Sequence, residues 1–376
     1  MEFEFLPDIY DMVQLLIVTF FGWILVMRLA HFLQVERNIC QLIYVWHFFF
    51  GVLFYLYTLN FVSDATSYYQ SSYYMDEYKI QLGTNLVYIF YNLLISSLSL
   101  SYLAISLLMS ILGSLGLLFL YATLREVSKY DNLSKKMILL IVLLPSLSFW
   151  SAGIGKDVLI FLFINMLLWA SSKPKKRVLI MIISLVLIFL IRPHIAAPFF
   201  LLLLLTLYVN NNFKARIKNS ISVILLLFTS AIVLFGLNSI GLSFDSIGSY
   251  IDSRAYYTAL GSNSSFNLKD SNFFLIFINF VYFPILADQI SIKHIPLILE
   301  GGIMFIISII IILRGNFSIG YYSIYFLSIV IIFLVLVTAL SLTLSNYGLL
   351  FRQKIMILPL LFYILFSIPR KGMEKF

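Results

Sequence analysis

Apolar residues run in blocks far longer than a soluble helix or strand needs, and the polar residues fall between the blocks. Blocks at 11–32 and 40–62 each reach the ~20 residues that carry a helix across a bilayer. Arg28, Glu36 and Arg37 surround the turn between them. An outer, tyrosine-rich loop follows, holding Asp64, Asp76 and Glu77. The next apolar segment, 83–122, is too long for one crossing, but its flanks differ in charge. Residues 63–82 are acidic, whereas 125–136 carry Arg125, Lys129, Lys135 and Lys136. Because basic residues collect on the inner side, an odd number of crossings is expected. One helix at 97–122, preceded by an interfacial segment at 83–96, satisfies that parity.

Segments 137–172 and 178–209 form a different pattern. Each predicts a hairpin whose arms are only about fourteen apolar residues long, short of a full span. The first turns at Gly153-Ile-Gly-Lys156-Asp157 and the second at Arg192-Pro193-His194. Basic clusters Lys173–Arg177 and Lys214–Lys218 hold the hairpin bases inside, so both tips should lie below the outer surface in a water-filled hollow. Pro193 is a helix breaker. Gly153 and Gly155 permit either a tight turn beside a ligand or close helix packing.

A helix at 220–239 leads to the longest polar stretch, 240–272, with Asp245, Asp252, Arg254, Tyr256, Tyr257 and Lys269. An interfacial or re-entrant piece at 273–287 and helices at 297–313, 319–345 and 355–369 complete the chain. The expected fold is all-α: one membrane domain over 1–376, a polytopic bundle of about eleven crossings with its N-terminus outside.

Composition agrees with that pattern. The chain is 61% hydrophobic and 11% charged, where a soluble domain carries about 25% charged residues. Strand alternation, which a barrel requires, is missing. The net charge of +8 comes mostly from Lys and Arg on one predicted side, so it marks orientation and gives no reason to expect a nucleic-acid partner. A single cysteine, Cys40, excludes an internal disulfide and a cysteine metal cluster. Glu2, Glu4, Asp8 and Asp11 precede the first apolar block, where a signal peptide would carry positive charge.

Ionisable side chains at membrane depth cost about 2.5–3.5 kcal/mol each and face a cavity or a partner. Lys156, Asp157, Arg192 and His194 therefore stand out. Lys156 and Asp157 either neutralise each other or serve a ligand. Arg192 either snorkels or binds an anion through its paired donors. Arg254 lies among Tyr250, Tyr256 and Tyr257, a set suited to phosphate and sugar faces. Asp64 either deprotonates a hydroxyl or caps the following helix. Further on, the run from Phe283-Pro284 through Lys293-His294 to Glu300 places two bases and an acid at the outer face or forms an interfacial anchor. His47, beside Trp46 in an apolar helix, reads as core or interfacial. Gly153-Ile-Gly155-Lys156 lacks the full glycine spacing and the Ser/Thr of a phosphate loop. No metal or organic cofactor is expected, because the four histidines lack ligand spacing and no Asp-x-Asp pair exists.

Ser63-Asp64 with Tyr68-Tyr69, Pro145-Ser146, Phe149-Trp150-Ser151 with Lys156-Asp157, and Arg192-Pro193-His194 together resemble bacterial polysaccharide repeat-unit polymerases of the Wzy type. The late segment ending at Glu300 departs from that pattern, since Phe283 stands where related proteins carry an arginine before the proline. The resemblance implies a glycosyltransferase of the bacterial inner membrane. Its substrate would be a polyprenyl-pyrophosphate-linked oligosaccharide, its surroundings membrane lipid, and a chain-length regulator a further partner. Lys156, Arg192 and Arg254 would bind the pyrophosphate, with Asp157, Tyr257 and Glu300 lining the site. Asp64 or His194 would assist the acceptor hydroxyl. Two other classes fit the same residues: a single-addition transferase using a polyprenyl-phosphate sugar, and a flippase for lipid-linked oligosaccharides.

Overall fold

The computed structural model describes residues 8–61, 63–75, 80–128, 131–209, scattered positions between 219 and 230, 247–259, 265–266, 272–282, 284, 295–315 and 324–369. The fold is all-helical, with no strand among the described residues. Two compact units divide the chain, and their segments interleave in sequence.

The first unit holds α1 (Ile9–Phe32), α2 (Arg37–Asn60), α3 (Asp64–Tyr73), α4 (Thr84–Leu98), nearly all of α5 (Tyr102–Val127), α6 (Asn132–Val142), α7 (Pro145–Trp150) and most of α8 (Lys156–Ser172). The end of α9 (Pro174–Ile191) also belongs to it. At its centre stands α5, with 89% of its apolar window buried, against 17% for α1. The exposed face of α1 is nonetheless apolar along its middle, with Leu16, Ile17, Phe20, Phe21, Ile24 and Leu25 outermost. A face of that kind suits hydrocarbon rather than water.

Acidic residues before α1 have a local structural role. Asp8 accepts from the Asp11 amide at 2.8 Å and Asp11 accepts from the Asp8 amide at 3.1 Å, a reciprocal cap at the positive end of the helix. At the other end Arg125 donates to the Leu33 carbonyl at 2.8 Å. Glu36 draws in Arg125 and Lys135, both at 3.7 Å, and accepts from the Tyr121 hydroxyl at 3.2 Å. These charges therefore close the α1–α2 turn.

Buried Gln14 makes a second clamp. Its amide group donates to the Ser99 carbonyl at 2.7 Å and accepts from the Ser101 amide at 2.9 Å. These groups flank the break between α4 and α5, where Ser99 adopts a left-handed φ of 50°. A side chain from α1 thus replaces the backbone bonds that the break removes.

In the second unit are the start of α9, α10 (Pro193–Val209, after its first residue), α11 (Ile247–Ala259), α12 (Phe273–Val281), α13 (Ile295–Arg314), α14 (Ile324–Thr343), α15 (Tyr347–Lys354) and α16 (Leu358–Phe366). Helix α14 is central, packing on α11, α12 and α16. Polar bonds pin this arrangement: Tyr347 to Asn279 at 2.8 Å, Tyr282 to Ser308 at 3.0 Å, and Thr258 to Ser345 at 3.0 Å.

Among the described residues, five helices are long and apolar enough to cross a membrane: α1, α2, α5, α13 and α14. The α15–α16 pair, bent by 47°, makes six if it counts as one span. The larger number expected from the sequence rests partly on residues 210–246 and 285–294, most of which lie outside the described set. Two helices, α3 and α11, occupy stretches that read as outer loops in the sequence. Replacing Gln14 by Leu should strand the Ser99 carbonyl and Ser101 amide, at about 1–3 kcal/mol for each unsatisfied group. A lowered thermal midpoint of the detergent-purified protein is expected, and an unchanged midpoint would show that the break holds itself.

Candidate functional site

The first predicted tip is built by two interruptions. Pro145 opens α7, and the chain leaves helix again at Ser151 before Lys156 begins α8. Gly155 has φ +150°, a conformation that side chains disfavour. Gly153 serves the other purpose, since a Cβ there would collide with the Phe54 ring. One glycine therefore turns the chain and the other lets it pack.

Neutral polar groups fix this turn in place. The Tyr91 hydroxyl donates to the Gly155 carbonyl at 2.9 Å and accepts from the Gly155 amide at 2.8 Å. Fully buried His47 lies 3.1 Å from the Ser110 hydroxyl and 2.9 Å from the Ser151 hydroxyl. Ser110 also donates to the His47 carbonyl and Ser151 to the Leu147 carbonyl, so both hydroxyls tie the ring to the surrounding backbone. The core assignment of His47 holds, and the side chain joins α2 and α5 to the tip.

The second tip forms because Pro193 has no amide hydrogen and disfavours helix at the residue before it. Helix α9 ends at Ile191, and the Arg192 amide still bonds back to Ile188 at 2.7 Å. Its guanidinium donates to the Asp157 carboxylate in a buried salt bridge. Asp157 sits in the first turn of α8, where the helix dipole favours a carboxylate. The Leu190 carbonyl accepts from the Gly83 amide at 2.8 Å, which brings the start of α4 to the same place. Lys156 points its ammonium at the Thr84 hydroxyl, 3.4 Å away, and remains partly exposed.

The arms of the first hairpin are short: α6 has 11 residues and α8 has 17, or ~16 and ~26 Å at 1.5 Å per residue. Those of the second, α9 and α10, have 18 and 17 residues, longer than the fourteen expected. Asp157 and Arg192 are both buried, and pairing is the means by which two ionised groups persist away from water.

Lys156, Asp157 and Arg192 are thus brought together: Asp157 is bound to Arg192, and Lys156 reaches the Thr84 hydroxyl. Asp64 is exposed in the first turn of α3, while Ser63 occupies the cap position without a side-chain bond. One helical turn on, Tyr68 faces Gly155, with its ring 5.3 Å from Tyr88 and 6.3 Å from Tyr91. The Asn92 amide ties α4 to the Ser72 carbonyl of α3 at 2.7 Å. Burial pushes the neighbouring Tyr69 phenol up to about 12, and the charge of Asp11 adds to the shift, so that phenol stays neutral and acts as a donor.

His194, Arg254, Tyr257 and Glu300 belong to the second unit. His194 is exposed at the second residue of α10. Arg254 is exposed on α11, with its guanidinium 6.0 Å from the Tyr250 ring centre. Tyr257 is exposed edge-to-face with Tyr256 at 5.8 Å. Glu300 is buried in α13 and interacts electrostatically with buried Lys354, which ends α15 over the Phe351 ring at 5.5 Å. Phe283, Lys293 and His294 lie outside the described residues. No group of three potential metal ligands occurs among the described residues. Compared with known families, characterised proteins and solved structures, the chain gives no match.

Breaking the ion pair from either side should unfold the tip. Asp157→Asn or Arg192→Met alone is expected to cost about 3–5 kcal/mol, because each leaves an uncompensated buried charge. Removing both should recover much of that loss. A double-mutant cycle on thermal stability checks this, and additive single effects would show that the two groups do not interact.

Proposed function

We propose that this chain is a multi-pass glycosyltransferase of the bacterial inner membrane that polymerises lipid-linked oligosaccharide repeat units. The observation that carries this reading is the placement of Lys156: a partly exposed cation beside Thr84, at the tip of a short hairpin held by a buried Asp157–Arg192 pair. An ammonium at that depth suits the phosphate of a polyprenyl-pyrophosphate donor. Tyr88, half-buried on α4 against Tyr68, supplies an aromatic face for a sugar ring. In this reading the membrane is crossed about eleven times, with the shorter helices completing spans beyond the five or six long ones.

In the reaction, the bond between the anomeric carbon of the growing glycan and its pyrophosphate oxygen breaks. A new bond forms from that carbon to a hydroxyl of the incoming repeat unit. The hydroxyl proton passes to a base, for which Asp64 is the candidate on α3, and the pyrophosphate leaves as the anion stabilised by Lys156. Arg192, already bound to Asp157, acts as a positioning residue for the helix start that presents Lys156. Arg254, Tyr257, His194 and Glu300 belong to the second unit and take no part in this step.

Purified protein given a polyprenyl-pyrophosphate-linked repeat unit should yield a ladder of product lengths. Lys156→Met should slow it by about 100-fold, the effect of losing one preorganised charge contact, while Lys156→Arg retains part of the rate. A single added sugar without a ladder would favour the single-addition transferase. Unaltered ladders from the correctly inserted Met variant would remove Lys156 from the mechanism.

A further inference from the structure

The turn between α8 and α9 concentrates charge of one sign. Lys173, Lys175, Lys176 and Arg177 fall within five residues, and the first turn of α9 has no acidic residue. Arg177 departs from helical geometry at φ −123° and folds inward, donating to the Ser172 hydroxyl at 3.1 Å. Lys173, Lys175 and Lys176 remain exposed. Cations normally favour a helix C-terminus, yet Lys175 and Lys176 stand at the start of α9, where the dipole is also positive. An external anion relieves both the mutual repulsion and the dipole.

The same helix presents a second feature. Leu179, Ile182 and Ile183 occupy i, i+3 and i+4 positions and are 67%, 38% and 46% exposed. Three exposed aliphatic side chains follow directly from the cationic turn, on one face of an apolar helix. An inorganic anion would satisfy the lysines and leave these side chains uncovered. A molecule with an anionic head and an acyl chain satisfies both.

We infer that the start of α9 is a docking site for an anionic glycerophospholipid, with its phosphate on Lys175 and Lys176 and an acyl chain along Leu179, Ile182 and Ile183. Clustered basic residues at the end of a membrane helix attract anionic headgroups through such contacts. The site uses none of the residues of the hairpin tips and stands whether or not the proposed reaction is correct.

Full-length protein in detergent is incubated with equal amounts of phosphatidylglycerol and phosphatidylcholine, and native mass spectrometry reads which lipid stays bound. Phosphatidylglycerol should be retained preferentially, and K175Q/K176Q should lower that preference by about fivefold per lysine. K175R/K176R, which keeps the charge, should keep the preference and serves as the control for folding. Equal retention of both lipids by the natural chain, an unchanged preference in the Gln variant, or a lost preference in the Arg variant would each overturn the site. Displacement of the bound lipid by millimolar inorganic phosphate would reject a lipid occupant in favour of a small anion.

Discussion

The buried salt bridge between Asp157 and Arg192 is the constraint on which the first unit is arranged. Neither partner tolerates its position alone, because a charge withdrawn from water needs an opposite charge and further donors around it. The pair fixes the start of α8 against the end of α9, so two segments 35 residues apart must return to one point. Pro193 makes this geometry available by ending α9 where the guanidinium is needed. The dipole of α8 adds to it by favouring a carboxylate in its first turn.

Neutral groups then do what charge alone would do poorly. A salt bridge attracts over several ångströms but sets orientation weakly, whereas Tyr91 binds both backbone groups of Gly155 and leaves that residue one conformation. His47 holds the Ser151 hydroxyl from a different helix. The tip is consequently held from α2, α4, α5 and α9 at once. Lys156, the next residue along, inherits its direction from that frame. A cation so placed needs no metal to meet an anionic group, and its partial exposure leaves it reachable.

Much of this is legible in the sequence, for reasons that can be located. Apolar block length marks α1, α2, α5, α13 and α14, because crossing a bilayer demands a minimum length. Short arms and ionisable tips point to residues 156, 157 and 192, because charge at depth is rare enough to be informative. The bridge from Asp157 to Arg192 is not legible, since nothing local reveals a partner 35 residues further on. Tyr91 and Thr84 carry no signal among so many Tyr and hydroxyl residues. Helix α3 does leave a trace inside the polar loop: Ala65, Tyr68, Tyr69 and Ser72 follow i, i+3, i+4, i+7 spacing and are the residues it buries. Asp64 fits a cap by residue type, but Ser63 occupies that position and Asp64 begins the helix.

Broken helices explain why charge collects where it does. A continuous membrane helix satisfies its own backbone and offers little to a polar side chain, whereas a break releases carbonyl and amide groups that require partners. In the first unit the breaks at 151–155 and at Arg192 hold Asp157, Arg192 and Lys156. In the second, Lys354 ends α15 immediately before the 47° bend into α16 and meets buried Glu300 of α13. Each unit therefore keeps a buried acid and a buried base beside an interruption, one recognised from its proline and glycines and the other overlooked although Pro359 stands in the first turn of α16. Charge collects beside these breaks, where the fold already has to supply polar partners.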